Sequence, residues 1–239
     1  MPGPYAVVAP LETLTVSDYT SMDAYVAMPA EEGKYPGVIV LQEAFGVTAH
    51  IKDVCERLAG AGYVAIAPEV FHRTAGRGAT IAYGNMEEAR PHISAMTIEG
   101  QETDLKAAYQ WLVDQPNVDS EHIGSIGFCM GGRLSFIANC ILPLKAAISY
   151  YAGGMAPLLS RAGELHTRHL FFWGGLDKHI THEHVDAVAT ALIAAKKEYI
   201  NVEISFADHA FNCNDRPNYH PQAAKEAWAL SMMFFEQQF

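Results

Sequence analysis

Gly124-Ser125-Ile126-Gly127-Phe128-Cys129-Met130-Gly131-Gly132 is the stretch from which the rest of the chain can be read. A short apolar segment, His122 to Phe128, runs into a Gly-x-Cys-x-Gly turn, and a segment of helical spacing, Arg133 to Ile141, follows at once. Strand, sharp turn and helix in that order are the surroundings of a nucleophile elbow, with cysteine where serine usually stands. Gly127 and Gly131 have a steric reason to flank it, because side chains would collide across so tight a bend and the central residue is held in strained backbone geometry. Cys129 is therefore the candidate nucleophile. The competing reading is a small buried hydrophobe, the usual state of a free cysteine.

Outward from the elbow, apolar runs of strand length alternate with helical patterns. Leu11 to Val16 and Met22 to Met28 predict an N-terminal strand pair around Ser17-Asp18-Tyr19. Pro36 to Leu41 and Tyr63 to Ala67 are continuous apolar runs, as expected of strands buried on both faces. Between them, Ile51, Val54, Cys55 and Leu58 share one face of a helix over about His50 to Ala61, with Gly60 and Gly62 near its stop. Phe71 to Tyr83, rich in Gly and Arg, reads as a loop over a site. Thr97 to Gln115 has helical spacing and is ended by Pro116. Past the elbow come strands at Ala146 to Tyr151, His169 to Trp173 and Val202 to Phe206, and helices at about His182 to Lys196 and Pro221 to Gln238. Such alternation predicts an α/β fold, a mostly parallel central sheet with helices on both faces. Ligand sites in these folds lie at the carboxyl ends of the strands.

No linker, repeat or low-complexity tract divides the 239 residues, so one domain over 1–239 is expected. Half the residues are hydrophobic and 18% are charged, a balance that suits a folded enzyme. The net charge of −11 argues against a nucleic-acid partner, which would need clustered Lys and Arg. No apolar run has membrane-spanning length, and Met1-Pro2-Gly3-Pro4-Tyr5-Ala6-Val7-Val8 lacks the basic start of a signal peptide. Cys55, Cys129, Cys140 and Cys213 have the irregular spacing of reduced thiols, and the cytoplasm is the expected compartment. The sequence specifies no oligomeric state.

A cysteine nucleophile needs a base, and the base needs a third group to orient it. In elbow hydrolases these follow in the order nucleophile, acid, histidine, on loops after later strands. Asp177 follows the strand ending at Trp173, and His209 the one ending at Phe206, which predicts a Cys129–His209–Asp177 triad. Taken singly, Asp177 also reads as a turn or helix-capping residue and His209 as one of eleven histidines. Backbone N–H groups of Met130 and Ala44 occupy the oxyanion-hole positions of the fold. His179, His182 and His184 do not share a helical face, and no thiolate or carboxylate pair completes a site, so neither metal nor cofactor is expected.

Gln42-Glu43-Ala44-Phe45-Gly46, Gly127-Phe128-Cys129-Met130-Gly131-Gly132, Gly174-Gly175-Leu176-Asp177 and Asp208-His209-Ala210-Phe211 together resemble the dienelactone hydrolase (carboxymethylenebutenolidase) family of α/β-hydrolases. The likeness runs from about residue 10 to the C-terminus and takes in Tyr150-Tyr151, Arg216-Pro217 and Ala223 to Trp228. It implies an α/β-hydrolase fold and the triad Cys129, Asp177 and His209. It further implies that Glu43 engages the resting thiol and gives way when substrate binds. A carboxylate beside a thiol can accept its proton, although Glu43 also reads as a helix-capping carboxylate. Phe45 comes with the same motif as a substrate-site residue.

The family's two carboxylate-binding arginines are matched only in part. Arg73 aligns with the first, whereas Cys213 occupies the second position, with Arg216 three residues further on as a substitute. Each arginine also reads as a solvated surface residue. Tyr150 aligns with a pocket tyrosine and reads equally as a buried core aromatic. The expected activity is cysteine-dependent hydrolysis of a small lactone or ester, with dienelactone to maleylacetate foremost. A broad carboxylesterase or thioesterase on the same scaffold stands beside it, as does a non-hydrolytic thiol sensor or binding protein.

Overall fold

The computed structural model describes residues 4–239; Met1 to Gly3, the start of the stretch read for a leader, lie outside the described residues. The chain divides at Gly124 into two compact units.

The first unit carries β1 (Val7–Val8), β2 (Leu11–Thr15), β3 (Ser21–Pro29), β4 (Tyr35–Leu41), α1 (Ala49–Gly60), β5 (Val64–Pro68), α2 (Met86–Ala95) and α3 (Ile98–Asp114). β1 and β2 both pair antiparallel with β3, β3 pairs antiparallel with β5, and β5 runs parallel to β4. Val38 to Leu41 are wholly buried, as the unbroken apolar run requires. α1 connects the parallel pair β4 and β5 and buries Ile51, Val54, Cys55 and Leu58, the face its spacing predicts. It stops before Gly62, whose φ of +95° lies in the left-handed region that glycine reaches without cost. Thr97 caps α3, its Oγ1 accepting the Gly100 N–H at 3.0 Å.

α2 was not expected from periodicity, and the reason is physical: it buries only Ala89 and carries Pro91 inside it. Its signal is a cap. Asn85 Oδ1 accepts the Glu88 N–H at 3.3 Å while Asn85 Nδ2 donates to Glu88 Oε2 at 2.8 Å, a reciprocal arrangement at a helix start. The Phe71 to Tyr83 loop is anchored on the turn after β4. The Ile81 N–H donates to the Phe45 carbonyl at 2.9 Å, and Thr48 Oγ1 meets the Tyr83 hydroxyl at 2.7 Å.

β6 (Val118–Phe128) runs across the division into the second unit, which continues with α4 (Met130–Ile141), β7 (Ala146–Tyr150), β8 (His169–Gly174), α5 (His182–Ala194), β9 (Tyr199–Ile204) and α6 (Pro221–Gln238). Its strands lie in the order β6, β7, β8, β9, with β7 parallel to β8 and β8 parallel to β9. Every residue of β7 and β8 is buried. β9 starts three residues before the apolar run that marks it, because its register with β8 carries pairing back to Tyr199. A 3-10 helix over Ala156–Glu164, also unexpected, is short and buries only Leu158 and Ala162. Mostly parallel strands with helical connections make this an α/β fold, the class the sequence predicts.

Candidate active site

The second unit brings Cys129, Asp177 and His209 together. Cys129 stands between β6 and α4 at φ +54°, ψ −113°, outside the regions open to ordinary L-residues, a strain of roughly 1–3 kcal/mol. Its N–H donates to the Tyr150 carbonyl at 3.0 Å, and its carbonyl accepts the Gly132 N–H at 3.0 Å. The bend is possible because position 127 has no side chain: a Cβ there would stand 1.9 Å from the Gly131 carbonyl oxygen. At Gly132 a Cβ would meet Ala152 Cβ at 2.8 Å, so α4 packs directly on the chain leaving β7.

A buried polar relay holds the first turn of α4. Asn139 Oδ1 accepts the backbone N–H groups of His166 and Thr167, which leaves its Nδ2 to donate to His169 Nδ1 at 3.2 Å. Ser149 Oγ donates to the Gly132 carbonyl at 2.7 Å, so it must accept at 2.8 Å from His169 Nε2. Both ends demand the same tautomer, a neutral ring with its proton on Nε2. Burial agrees, pushing His169 down to about 3.

Asp177 and His209 are brought within reach by Gly174 and Gly175. A Cβ on Gly174 would lie 2.7 Å from the Ala207 carbonyl oxygen and one on Gly175 2.6 Å from Ser205 Cα, so the two loops can touch only where side chains are absent. Asp177 Oδ1 accepts the N–H groups of His179 and Ile180 at 2.8 and 3.0 Å, while Oδ2 lies 2.7 Å from His209 Nδ1. His209 Nε2 lies 3.3 Å from Cys129 Sγ. Asp177 thus performs both tasks open to it from sequence, ordering its turn and orienting the histidine.

Burial pulls His209 down, but its hydrogen bonds to Asp177 and Cys129, with the charges of both, outweigh it and hold the ring up to about 10. Burial likewise opposes ionisation of Asp177, and the His209 hydrogen bond and charge with the two backbone N–H groups keep it below its usual range. The arrangement can store a proton on His209 beside a sulfur, hold that ring in one orientation and present the sulfur at a bend.

Met130 opens α4, whose first N–H groups lack intrahelical partners. Glu43, Ala44 and Phe45 lie in the first unit, buried in the turn after β4, with Phe45 edge-on to Tyr83 at 5.1 Å. Arg216 is half-buried in the turn past His209, its N–H on the Cys213 carbonyl at 3.1 Å, and Cys213 is fully buried.

Two expectations need correction. Arg73 is not a free cation for a substrate: Nη1 and Nη2 fork onto Asp104 at 2.8 and 2.7 Å, and Nε donates to Asp18 at 2.8 Å. Tyr150 is a core aromatic rather than a pocket residue. It is wholly buried among Phe128 and Phe172, and since Ser231 Oγ donates to the Ala227 carbonyl, the Tyr150 hydroxyl donates to Ser231 at 2.8 Å. Its neighbour Tyr151, at φ +38°, packs its ring 5.1 Å from that of His209 and is the tyrosine at the triad. His179, His182 and His184 turn to three different neighbours, His209, Glu203 and Trp173. Arg133, which no sequence motif singles out, lies in the first turn of α4.

The family described as "Dienelactone hydrolase family" matches residues 22–239. A protein of Yersinia pestis named "Putative carboxymethylenebutenolidase" is 35% identical over 237 residues, covering 95% of this chain and 87% of its own. One of the same name from Methylorubrum extorquens is 34% identical over 224 residues, covering 90% and 76%. Among solved structures, a "Putative Dienelactone Hydrolase" from Klebsiella pneumoniae superposes with a TM-score of 0.88 at 32% identity, over 97% of this chain and 99% of that one.

Proposed function

The chain belongs to the dienelactone hydrolase family, and from that premise we propose that it hydrolyses small esters or lactones through a Cys129 thioester. The observation that carries this reading is the contiguous set Cys129, His209 and Asp177, joined at 3.3 and 2.7 Å beside a strained elbow.

In the reaction we propose, the proton rests on His209 and the sulfur attacks as thiolate. The S–C bond forms, and the carbonyl oxygen becomes an oxyanion received by the N–H groups of Met130 and Ala44. As the intermediate collapses, the C–O bond to the alcohol breaks and His209 Nε2 gives that oxygen its proton. His209 then takes a proton from water, the resulting hydroxide adds to the thioester carbon, and the thiolate leaves with the acid released. Asp177 keeps Nδ1 protonated throughout, and Tyr151 walls the imidazole on one face. Glu43 is proposed, on the family resemblance, to engage the thiol before substrate binds and then to give way, so that the thiol proton passes to His209.

Dienelactone, opened to maleylacetate, is the first substrate to test. A second reading, a broader carboxylesterase or thioesterase, is favoured by Arg73, whose fork is already filled by Asp104 and Asp18. The experiment follows dienelactone ring opening by ultraviolet absorbance beside p-nitrophenyl acetate, with Cys129→Ala as control. Lactone turnover far above acetate turnover, lost in the variant, supports the specific reading. Acetate turnover alone selects the second, and activity undiminished in Cys129→Ala overturns the mechanism.

A further inference from the structure

Arg133 stands in the first turn of α4, the helix that begins directly after Cys129, whose own N–H is held by the Tyr150 carbonyl at the end of β7. Helical side chains lean toward the N-terminus of their helix, which carries the Arg133 stem back toward the end where the sulfur sits. The guanidinium lies against the turn after β7: Nη1 is 3.5 Å from where a Cβ on Gly154 would be, and a Cβ on Gly153 would meet open space.

Its surroundings set it apart from five of the seven other arginines. Arg57, Arg73, Arg77, Arg161 and Arg168 each hold a carboxylate. Arg133 takes part in no ion pair or side-chain hydrogen bond among the described residues, and its Nε is buried without a partner. In a chain with 27 acidic residues against 16 Lys and Arg, a desolvated cation left without a counter-ion is the exception. Burial holds it below the usual arginine value, and the charge of Cys129 acts in the opposite sense, which places the two groups within electrostatic reach.

We infer that Arg133 receives a free carboxylate of the substrate while Cys129 attacks its ester or lactone carbonyl. This rests on the hydrolase reading above and names its substrate class. A planar fork with no resident anion matches a carboxylate bidentately. Arg133 and Cys129 lie within the same helix start, so a substrate that reaches both has its carboxylate and its attacked carbonyl separated by a few bonds, as in half-esters of short dicarboxylic acids.

The test is the ratio of kcat/KM for p-nitrophenyl hydrogen glutarate to that for neutral p-nitrophenyl butyrate, in the wild type, Arg133→Gln and Arg133→Lys. The ratio is expected to fall about 10- to 100-fold in Arg133→Gln, chiefly through KM, and less in Arg133→Lys, which keeps the charge without the fork. A ratio unchanged in Arg133→Gln, whether both esters are still cleaved or both fall together, overturns the inference. If that variant does not fold, the wild-type ratio decides: it must decline as salt rises, and a salt-independent ratio overturns the inference equally. Wild-type protein that cleaves neither ester would sink the hydrolase reading alone. Glutarate binding by calorimetry would then judge Arg133, and equal affinity in wild type and Arg133→Gln would overturn its assignment.

Discussion

A side chain on Gly127 would bring its Cβ to 1.9 Å from the carbonyl oxygen of Gly131, so the bend that raises Cys129 exists only because position 127 is bare. The Cβ is fixed by the backbone that bears it and the oxygen is itself backbone, so neither can rotate aside. Gly127→Ala should therefore force β6 and α4 apart at about 1–3 kcal/mol, lowering Tm by several degrees. Ester turnover should fall with it, since the Met130 N–H moves with the bend. Calorimetry and steady-state kinetics check this; a variant with wild-type Tm and turnover would show that the elbow is not close-packed.

His209 draws part of its high proton affinity from Cys129, through a hydrogen bond and through charge. Cys129→Ala removes both, so the His209 pKa should drop from about 10 toward its ordinary value, with Asp177 alone still raising it. Titration of the imidazole protons by NMR reads this directly. An unmoved pKa would mean that the sulfur does not share the proton.

The same shift makes stability depend on pH. The folded-state pKa of about 10 lies above the ordinary 6.5, so the His209 contribution is fully present below pH 6.5 and is lost as pH rises through about 10. Asp177, shifted down, adds stability above its ordinary 3.8 that is lost as pH falls through its folded value. Urea midpoints from pH 6 to 11 should decline more steeply in the wild type than in His209→Gln. Parallel profiles would remove His209 from the linkage.

Ser149 donates a hydrogen bond to the Gly132 carbonyl and accepts one from His169. Ser149→Ala leaves the His169 Nε2–H without an acceptor in a fully buried site, a cost of about 1–3 kcal/mol. Because the relay ends at the first turn of α4, kcat should fall while KM changes little. Denaturant unfolding and kinetics measure the two effects, and loss of stability with kcat intact would assign the relay to folding alone.

Arg73 is held by carboxylates at both edges of its fork, and Asp104 is 1% exposed. Arg73→Gln should cost roughly 1–3 kcal/mol of stability, part of the pair being near solvent. It should leave the preference for an anionic over a neutral ester where it stands. A collapse of that preference would restore Arg73 to the substrate site.

Much of the fold could be read locally. The buried strands at Val38 to Leu41 and Ala146 to Tyr150 follow from unbroken apolar runs, and α1 from a single apolar face. α2 and the 3-10 helix escaped because each is short and buries at most two residues, so neither offers the long apolar repeat by which a helix is read. The elbow and the order Cys129, Asp177, His209 were written in the chain as well, since glycine placement and strand ends are near-neighbour properties. What the sequence by itself determined was which groups could react. Which of them are free to act was decided by tertiary structure: Asp18 and Asp104 lie 55 and 31 residues from Arg73 and claim its fork, and Ser231, 81 residues from Tyr150, claims its hydroxyl. Arg133 was left without any such claim. Charge pairing acts through space and leaves no periodicity along the chain, so the commitment of each cation becomes visible only when distant segments meet.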